Sequence, residues 1–217
     1  MDSHHKYKIS NIPVMYEDDW LLVVDKPSGL LTIPTPKKES RTLTSILNDY
    51  LKGQNLPYHL YPCHRLDRET SGLIIYAKGR SAQKKMADEF RNRKIKKLYF
   101  ALVKGMPSAM QAEIRIPIEG RSAVTRYKVV EKKKNFAIVE AQPLSGRTNQ
   151  IRIHFKLIGH PVLGETKYAL RRDFLVKAKR LCLHAQALEF IHPLTKEIIR
   201  LSAGLPQDLI TFLKKYD

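Results

Sequence analysis

Residues 64–72 read His64-Arg65-Leu66-Asp67-Arg68-Glu69-Thr70-Ser71-Gly72. One carboxylate between two arginines, in a chain of formal net charge +18, suits a site where cations hold a polyanion and an ionised carboxylate works beside it. Asp67 would then be a nucleophile or a base; on spacing alone, a structural ion pair is its competing role. Other chemistries fit poorly. Leu66 interrupts the His-Arg-Asp order of a protein-kinase catalytic loop, and neither a Gly-rich phosphate loop nor Asp-Phe-Gly is present. There is no Walker A segment. A glycosidase would pair two carboxylates across a bond, and the closeness of Glu69 to Asp67 in sequence does not make them a facing pair.

The elements around this stretch must hold it in place. Leu73-Ile74-Ile75-Tyr76-Ala77 is apolar and β-branched, which predicts a buried strand with Asp67 on the loop entering it. Trp20–Asp25 predicts another strand, followed by the turn Lys26-Pro27-Ser28-Gly29. Helical spacing predicts helices over Thr42–Leu51, with Thr42 as N-cap, over Ser81–Asn92, over Arg147–Ile158 and over Asp208–Lys215. Further strands are expected at 98–103, 112–118, 124–131, 136–142 and 181–191, with Lys132-Lys133-Lys134 in a charged hairpin turn. Strands without a steady strand–helix repeat imply an α+β fold on a mixed or largely antiparallel sheet. No Pro/Gly/Ser-rich linker divides the chain, so residues 1–217 are expected to form a single domain.

Composition narrows the partners. The chain has 39 Lys+Arg against 21 Asp+Glu, spread along its length, and 43% hydrophobic residues, ample for a core. Such a surplus suits a nucleic acid, because Lys and Arg displace condensed counterions from phosphates. A merely soluble basic protein and an anionic membrane surface are the alternatives that charge alone leaves. No apolar run is long enough to span a bilayer, and Met1-Asp2-Ser3-His4-His5 is no signal peptide. Cys63 and Cys182 are the only cysteines; two thiols without a secretion signal fit a reducing cytoplasm, and neither lies in a zinc spacing.

Five segments carry a resemblance. His64-Arg65-Leu66-Asp67-x-x-Thr70-Ser71-Gly72 is similar to the signature of RluA-type pseudouridine synthases. In the same order as in that family stand Val24-Asp25-Lys26-Pro27-Ser28-Gly29, Lys96-Lys97-Leu98-Tyr99, Ser145-Gly146-Arg147-Thr148-x-Gln150-Ile151-Arg152, and His160-Pro161-Val162-Leu163-Gly164-Glu165 with Leu183-His184-Ala185 beyond. The matches run from about residue 20 to about residue 190.

The resemblance implies a pseudouridine synthase-like catalytic domain with a central, largely antiparallel sheet and an RNA-binding cleft. It implies isomerisation of uridine to pseudouridine in rRNA, tRNA or both: the base leaves C1′, rotates and rejoins through C5, without cofactor or metal. The target base must leave its stack to be reached. By the same resemblance Asp67 is the catalytic carboxylate, Arg152 the basic residue that pairs with it, and Tyr99 the active-site tyrosine. Arg65 matches the arginine that fills the space of the flipped base. His64, Lys26, Arg147 and Gln150 are expected at the RNA cleft, as phosphate or sugar contacts or as supports behind them. The basic segments Lys84–Lys97 and Lys167–Arg180 are candidate backbone contacts.

The chain departs from the family pattern twice. Asn149 stands where histidine is common. The S4 RNA-binding domain of many relatives is expected to be missing, because about twenty residues precede the first matching segment. A cytoplasmic, monomeric, stand-alone synthase is the expectation. A non-catalytic RNA-binding or chaperone protein that keeps the fold is the alternative.

Overall fold

The computed structural model describes residues 7–216, so the polar opening Met1–His5 lies outside the described residues. Residues up to 95, with 187–204, make one compact unit; residues 96–186, with those from 205 onward, make another.

The first unit contains strands β1 (Tyr7–Ile9), β2 (Ile12–Glu17) and β3 (Leu21–Lys26), helix α1 (Leu43–Gly53), strands β4 (Leu60–Pro62) and β5 (Ser71–Lys78), and helix α2 (Arg80–Arg91). β1, β2, β3 and β5 pair antiparallel in that order, and β4 pairs antiparallel with the end of β5. Leu73–Ala77 is fully buried because β5 is covered on both faces. Leu73, Ile75 and Ala77 pack in one core with Ala82 and Met86 of α2. On the other face, the Tyr76 hydroxyl lies 3.0 Å from Thr44 Oγ1 of α1. The expected cap of α1 is present: Thr42 Oγ1 accepts from the Ser45 N–H at 3.2 Å, and Ser45 Oγ accepts from the Thr42 N–H at 2.9 Å. This fixes where the helix begins and turns Leu43, Leu47 and Leu51 inward.

The second unit contains β6 (Lys96–Lys104), β7 (Gln111–Ile114), β8 (Thr125–Lys132), β9 (Phe136–Pro143) and α3 (Gln150–Leu157). β6, β9, β8 and β7 pair antiparallel in that order. The β8–β9 hairpin closes through Lys133, whose N–H donates to the Phe136 carbonyl at 2.9 Å, as the lysine run predicts. Two expectations are corrected. β7 stops at Ile114 instead of residue 118, since Pro117 has no N–H for a ladder and the chain turns at Glu119 and Gly120, both at positive φ. α3 starts at Gln150 instead of Arg147, because Asn149 is left-handed at φ +54°, a conformation that cannot continue a right-handed helix.

Strand β10 (Leu183–Ile191) begins in the second unit and ends in the first, where Ala187–Ile191 pairs antiparallel with β11 (Ile198–Ser202). Helix α4 (Gln207–Leu213) inserts Leu209 beside Phe136 and Phe174 in the second unit. β1, β2, β4 and β11 are short or lack a clean alternation, and only the structure reveals them. Antiparallel pairing, with helices outside any strand–helix repeat, makes the fold α+β as expected.

Candidate active site

The loop carrying Asp67 is clasped by the turn that follows β3. Lys26 is fully buried, and its ammonium donates to the carbonyls of Pro27 (2.9 Å), Leu30 (2.7 Å) and Arg68 (3.1 Å). The Gly29 N–H also donates to the Arg68 carbonyl, at 2.8 Å, and Arg68 Nε returns a bond to the Gly29 carbonyl at 3.2 Å. Ser28 Oγ donates to the Glu69 carbonyl at 2.6 Å. Thr32 Oγ1 donates to the Leu66 carbonyl at 2.9 Å and accepts the Leu66 N–H at 3.2 Å. On the far side, His64 Nε2 accepts the Ile75 N–H of β5 at 3.0 Å, and its ring lies 4.9 Å from that of Phe90 on α2. Asp67 is half-buried and Arg65 is exposed. The backbone of residues 64–70 is thus fixed to two strands and a turn, which holds the loop's side chains in a set direction.

In the second unit, Arg152 projects from α3, and Glu165 accepts from its Nε at 2.6 Å and from its Nη2 at 2.7 Å. Both side chains are almost completely buried. Asn149 Oδ1 accepts from Arg152 Nη1 at 3.3 Å, and Asn149 Nδ2 donates to the Tyr168 hydroxyl at 2.7 Å. The Tyr168 ring lies 5.6 Å from the guanidinium carbon. Desolvation would raise the Glu165 carboxyl, but hydrogen bonds from Arg152 and from backbone amides outweigh it and hold it below the usual carboxylate value. Gly164 permits the approach: at φ +77°, a Cβ there would sit 1.8 Å from the Arg180 carbonyl oxygen. Tyr99 is half-buried on β6, opposite Ala141 of β9. Lys97 shares its face of the strand by alternation, and burial lowers its ammonium.

Gln150 and Lys26 are buried, with their polar atoms bonded to groups of the chain itself. Gln150 Oε1 accepts from Ser145 Oγ (2.7 Å) and the Arg147 N–H (3.0 Å), while Nε2 donates to the Val124 carbonyl (2.9 Å) and Thr125 Oγ1 (3.0 Å). That uses the whole amide, so Gln150 shapes the loop before α3, in keeping with the supporting one of the two roles expected for it. Lys26, fully buried, likewise turns its ammonium to the chain's own carbonyls. Arg147 is half-exposed, with Nε donating to the Ser122 carbonyl at 3.1 Å. Tyr168 and Thr32 escape sequence reasoning, and Glu165 enters it only as part of a matching segment, because nothing in a 13-residue spacing marks Arg152 and Glu165 as partners. Burial pushes the thiols of Cys63 and Cys182 up to about 12. Among the described residues, no group of three or more His, Cys, Asp or Glu could hold a metal ion, and no helix is long and apolar enough to cross a membrane.

Comparison with known proteins finds relatives that cover most of the chain. The family model described as RNA pseudouridylate synthase matches residues 20–157. The dual-specificity RNA pseudouridine synthase RluA of Escherichia coli K12 is 36% identical over 198 residues, covering 83% of this chain and 87% of that protein. Its counterpart in Vibrio cholerae is 34% identical, over 84% of this chain and 78% of the relative. The uncharacterized RNA pseudouridine synthase YlyB of Bacillus subtilis is 34% identical, over 94% and 72%. Among solved structures, human RNA pseudouridylate synthase domain containing 4 has the same fold, with a TM-score of 0.79 at 24% identity over 94% of this chain and 92% of that one.

Proposed function

The chain belongs to the RluA-type RNA pseudouridine synthases, and we propose that Asp67 is the carboxylate through which it isomerises uridine. The enzyme acts on RNA, breaking the N1–C1′ bond of a uridine and forming a C5–C1′ bond, with the C5 hydrogen passing to solvent. The observation that carries the assignment is the clasp on residues 64–70. Lys26, Ser28 and Thr32 pin the carbonyls on either side of Asp67, which gives a reacting carboxylate the fixed placement it needs.

The remaining roles are read from the motifs that resemble the family's. Arg152 is the basic residue of the active site, Tyr99 packs on the base and serves proton transfer, and Arg65, exposed on the loop that carries Asp67, occupies the space of the flipped base. The protein acts as a cytoplasmic monomer on a structured rRNA or tRNA, whose splayed loop bases are accessible to such a site.

Helix α2 supplies phosphate contacts. It exposes Arg80, Lys84, Lys85 and Arg91, and Arg93 and Lys94 follow it. No acidic side chain stands in its first turn, and Gly79 gives no side-chain cap, so its N-terminal cations oppose the helix dipole. That pattern costs helix stability and serves an anionic partner. The exposed Lys167, Arg171, Arg172, Lys177 and Lys179 form a second candidate track.

Asp67→Ala is the deciding experiment. It should fold and bind RNA yet release no tritium from RNA labelled at uridine C5. Release at the wild-type rate would sink the assignment. Carbodiimide mapping by primer extension in a gene-deletion strain identifies the uridine; if no RNA loses a pseudouridine there, the reading as a non-catalytic RNA-binding protein replaces this one.

A further inference from the structure

The inner layer of the second unit is left unfilled at one edge. A cavity of about 260 Å³ opens there between the edge strand β7, the chain leaving α3 and the segment after β6. Tyr127 of β8 stands opposite Ala112 of β7, and Thr125 opposite Ile114, so Ala112, Ile114 and Tyr127 share the inward face. Pro107 and Ile158 complete the apolar wall, and His160 lines the remaining side. The end of the wall at Ile116 is fixed by His154, whose Nε2 donates to the Ile116 carbonyl at 2.9 Å. None of the lining residues belongs to the candidate active site. Lys104, whose carbonyl meets His160, lies five residues along β6 from Tyr99, about 16 Å of strand.

Two polar groups of this cavity are uncommitted. Tyr127 is only 5% exposed and its ring lies 5.4 Å from that of Phe155, yet its hydroxyl has no hydrogen-bond partner among the described residues. A buried tyrosine hydroxyl ordinarily finds one, because leaving it unpaired is costly. His160 Nδ1 donates to the Lys104 carbonyl at 2.9 Å. Nε2 of the neutral ring is then an acceptor, again without a partner among the described residues. The charges at the rim pair with each other: Glu113 accepts from Arg126 at 2.7 Å and also from Arg115. The cavity thus offers a hydroxyl donor, an imidazole acceptor and apolar walls, without an uncommitted charge among its lining residues. Such a lining suits a small neutral ring that carries both a carbonyl and an N–H. The volume lies below the range that takes a drug-sized ligand, so it suits one ring and not a whole nucleotide.

We propose that this cavity is a binding site for the ring of an unpaired uracil, with His160 Nε2 accepting its N3–H and the Tyr127 hydroxyl donating to a ring carbonyl. The imide edge of uracil places its N–H between two carbonyls, so one ring addresses both groups. Cytosine and adenine have no ring N–H beside a carbonyl, and guanine carries that pair on a larger, fused ring. The uracil comes from a strand of RNA or from a free nucleoside. Arg121 and Lys128, exposed on the same hairpin, supply cations for the phosphates of a strand. The site is independent of the role proposed for Asp67.

The test follows the amide resonances of the isotope-labelled protein at about pH 7.5, where an ordinary imidazole is neutral, on titration with uridine, N3-methyluridine and pentauridylate. Uridine or pentauridylate should shift the amides of Ala112, Ile114, Tyr127 and His160. N3-methyluridine cannot donate from N3 and should bind at least about tenfold more weakly than uridine. Tyr127→Phe keeps the ring beside Phe155 and removes only the hydroxyl, so it should weaken binding about five- to tenfold. Ala112→Leu fills the cavity and should abolish the shifts; whichever of the two variants folds carries the test. Asp67→Ala should respond as wild type does, which keeps failure of this site distinct from failure of the catalytic assignment. A response to uridine identifies a site open to the free nucleoside, and a response to pentauridylate alone identifies a base held in a strand. The proposal is overturned if neither shifts these amides, or if uridine and N3-methyluridine bind equally. An undiminished response in Tyr127→Phe or Ala112→Leu, or its loss in Asp67→Ala, overturns it too.

Discussion

The ammonium of Lys26 donates to the carbonyl of Arg68 at 3.1 Å, joining the last residue of β3 to the residue that follows Asp67. A buried ammonium is costly unless its donors are satisfied, and three carbonyls satisfy this one. The bond therefore works in two directions. It makes burial of the lysine tolerable, and it couples the position of the Asp67 loop to the sheet.

Replacing Lys26 by Met should separate these effects. The stem would still fill its space, but three carbonyls would lose their donor. A loss of about 3 kcal/mol is expected, which for a chain of this size lowers the melting temperature by roughly 6–12 °C. Tritium release below the melting range should fall far more than RNA affinity, since the loop loses its anchor and the exposed cations remain. A variant with the wild-type rate would show that the clasp does not set the geometry of Asp67.

Much of the scaffold is legible in the residues themselves. The apolar, β-branched run Leu73–Ala77 reads as a buried strand because cover on both faces demands a continuous hydrophobic sequence. Thr42 marks the start of α1 because its hydroxyl suits an orphan helix N–H. The site is legible only in part. Residue types and order point to Asp67 and Arg152, but the contacts that place them are long-range. Thr32 meets Leu66 across 34 positions, and Arg152 meets Glu165 across a turn that depends on Gly164. Gln150 reads equally as a substrate contact or a support until its amide is seen to be fully used by the loop around it. Where side-chain valences end up is a property of the packed chain.

Arg152→Lys should retain RNA affinity and lose turnover. An ammonium is a point donor and cannot reproduce the side-on fork to Glu165, so the end of the side chain would no longer be held in one orientation. A fall of at least about tenfold in rate is expected, equivalent to about 1.4 kcal/mol in the barrier. Equal single-turnover rates for the two proteins would remove Arg152 from the site.

Lys84, Lys85 and Arg93 are exposed, the first two on α2 and the third just beyond it. If these cations contact phosphates, changing all three to Gln should reduce the slope of log affinity against log salt by about two units, at roughly 0.7 per phosphate for single-stranded RNA. The rate at saturating RNA should stay close to wild type. A slope that does not change would show that α2 faces away from the substrate.

His154 links the loop before β8 to pH. Its Nε2 donates to the Ile116 carbonyl at 2.9 Å, so in the neutral ring Nδ1 accepts from the Thr125 hydroxyl at 2.8 Å. Desolvation pushes the imidazole below its ordinary value, and the bond to Ile116 offsets this only in part. The sign follows: the unfolded chain takes up this proton at a higher pH than the fold does. Stability owed to neutral His154 is complete above about pH 6.5 and is lost as pH falls from there through the lower folded value. His154→Gln should melt lower than wild type near neutral pH but lose less on acidification. Melting curves of both proteins at about pH 7.5 and about pH 5.5 check this, because the wild type should show the larger fall between them. Equal falls would mean that the histidine keeps its partners when protonated, and that the acid sensitivity of the fold lies in its carboxylates.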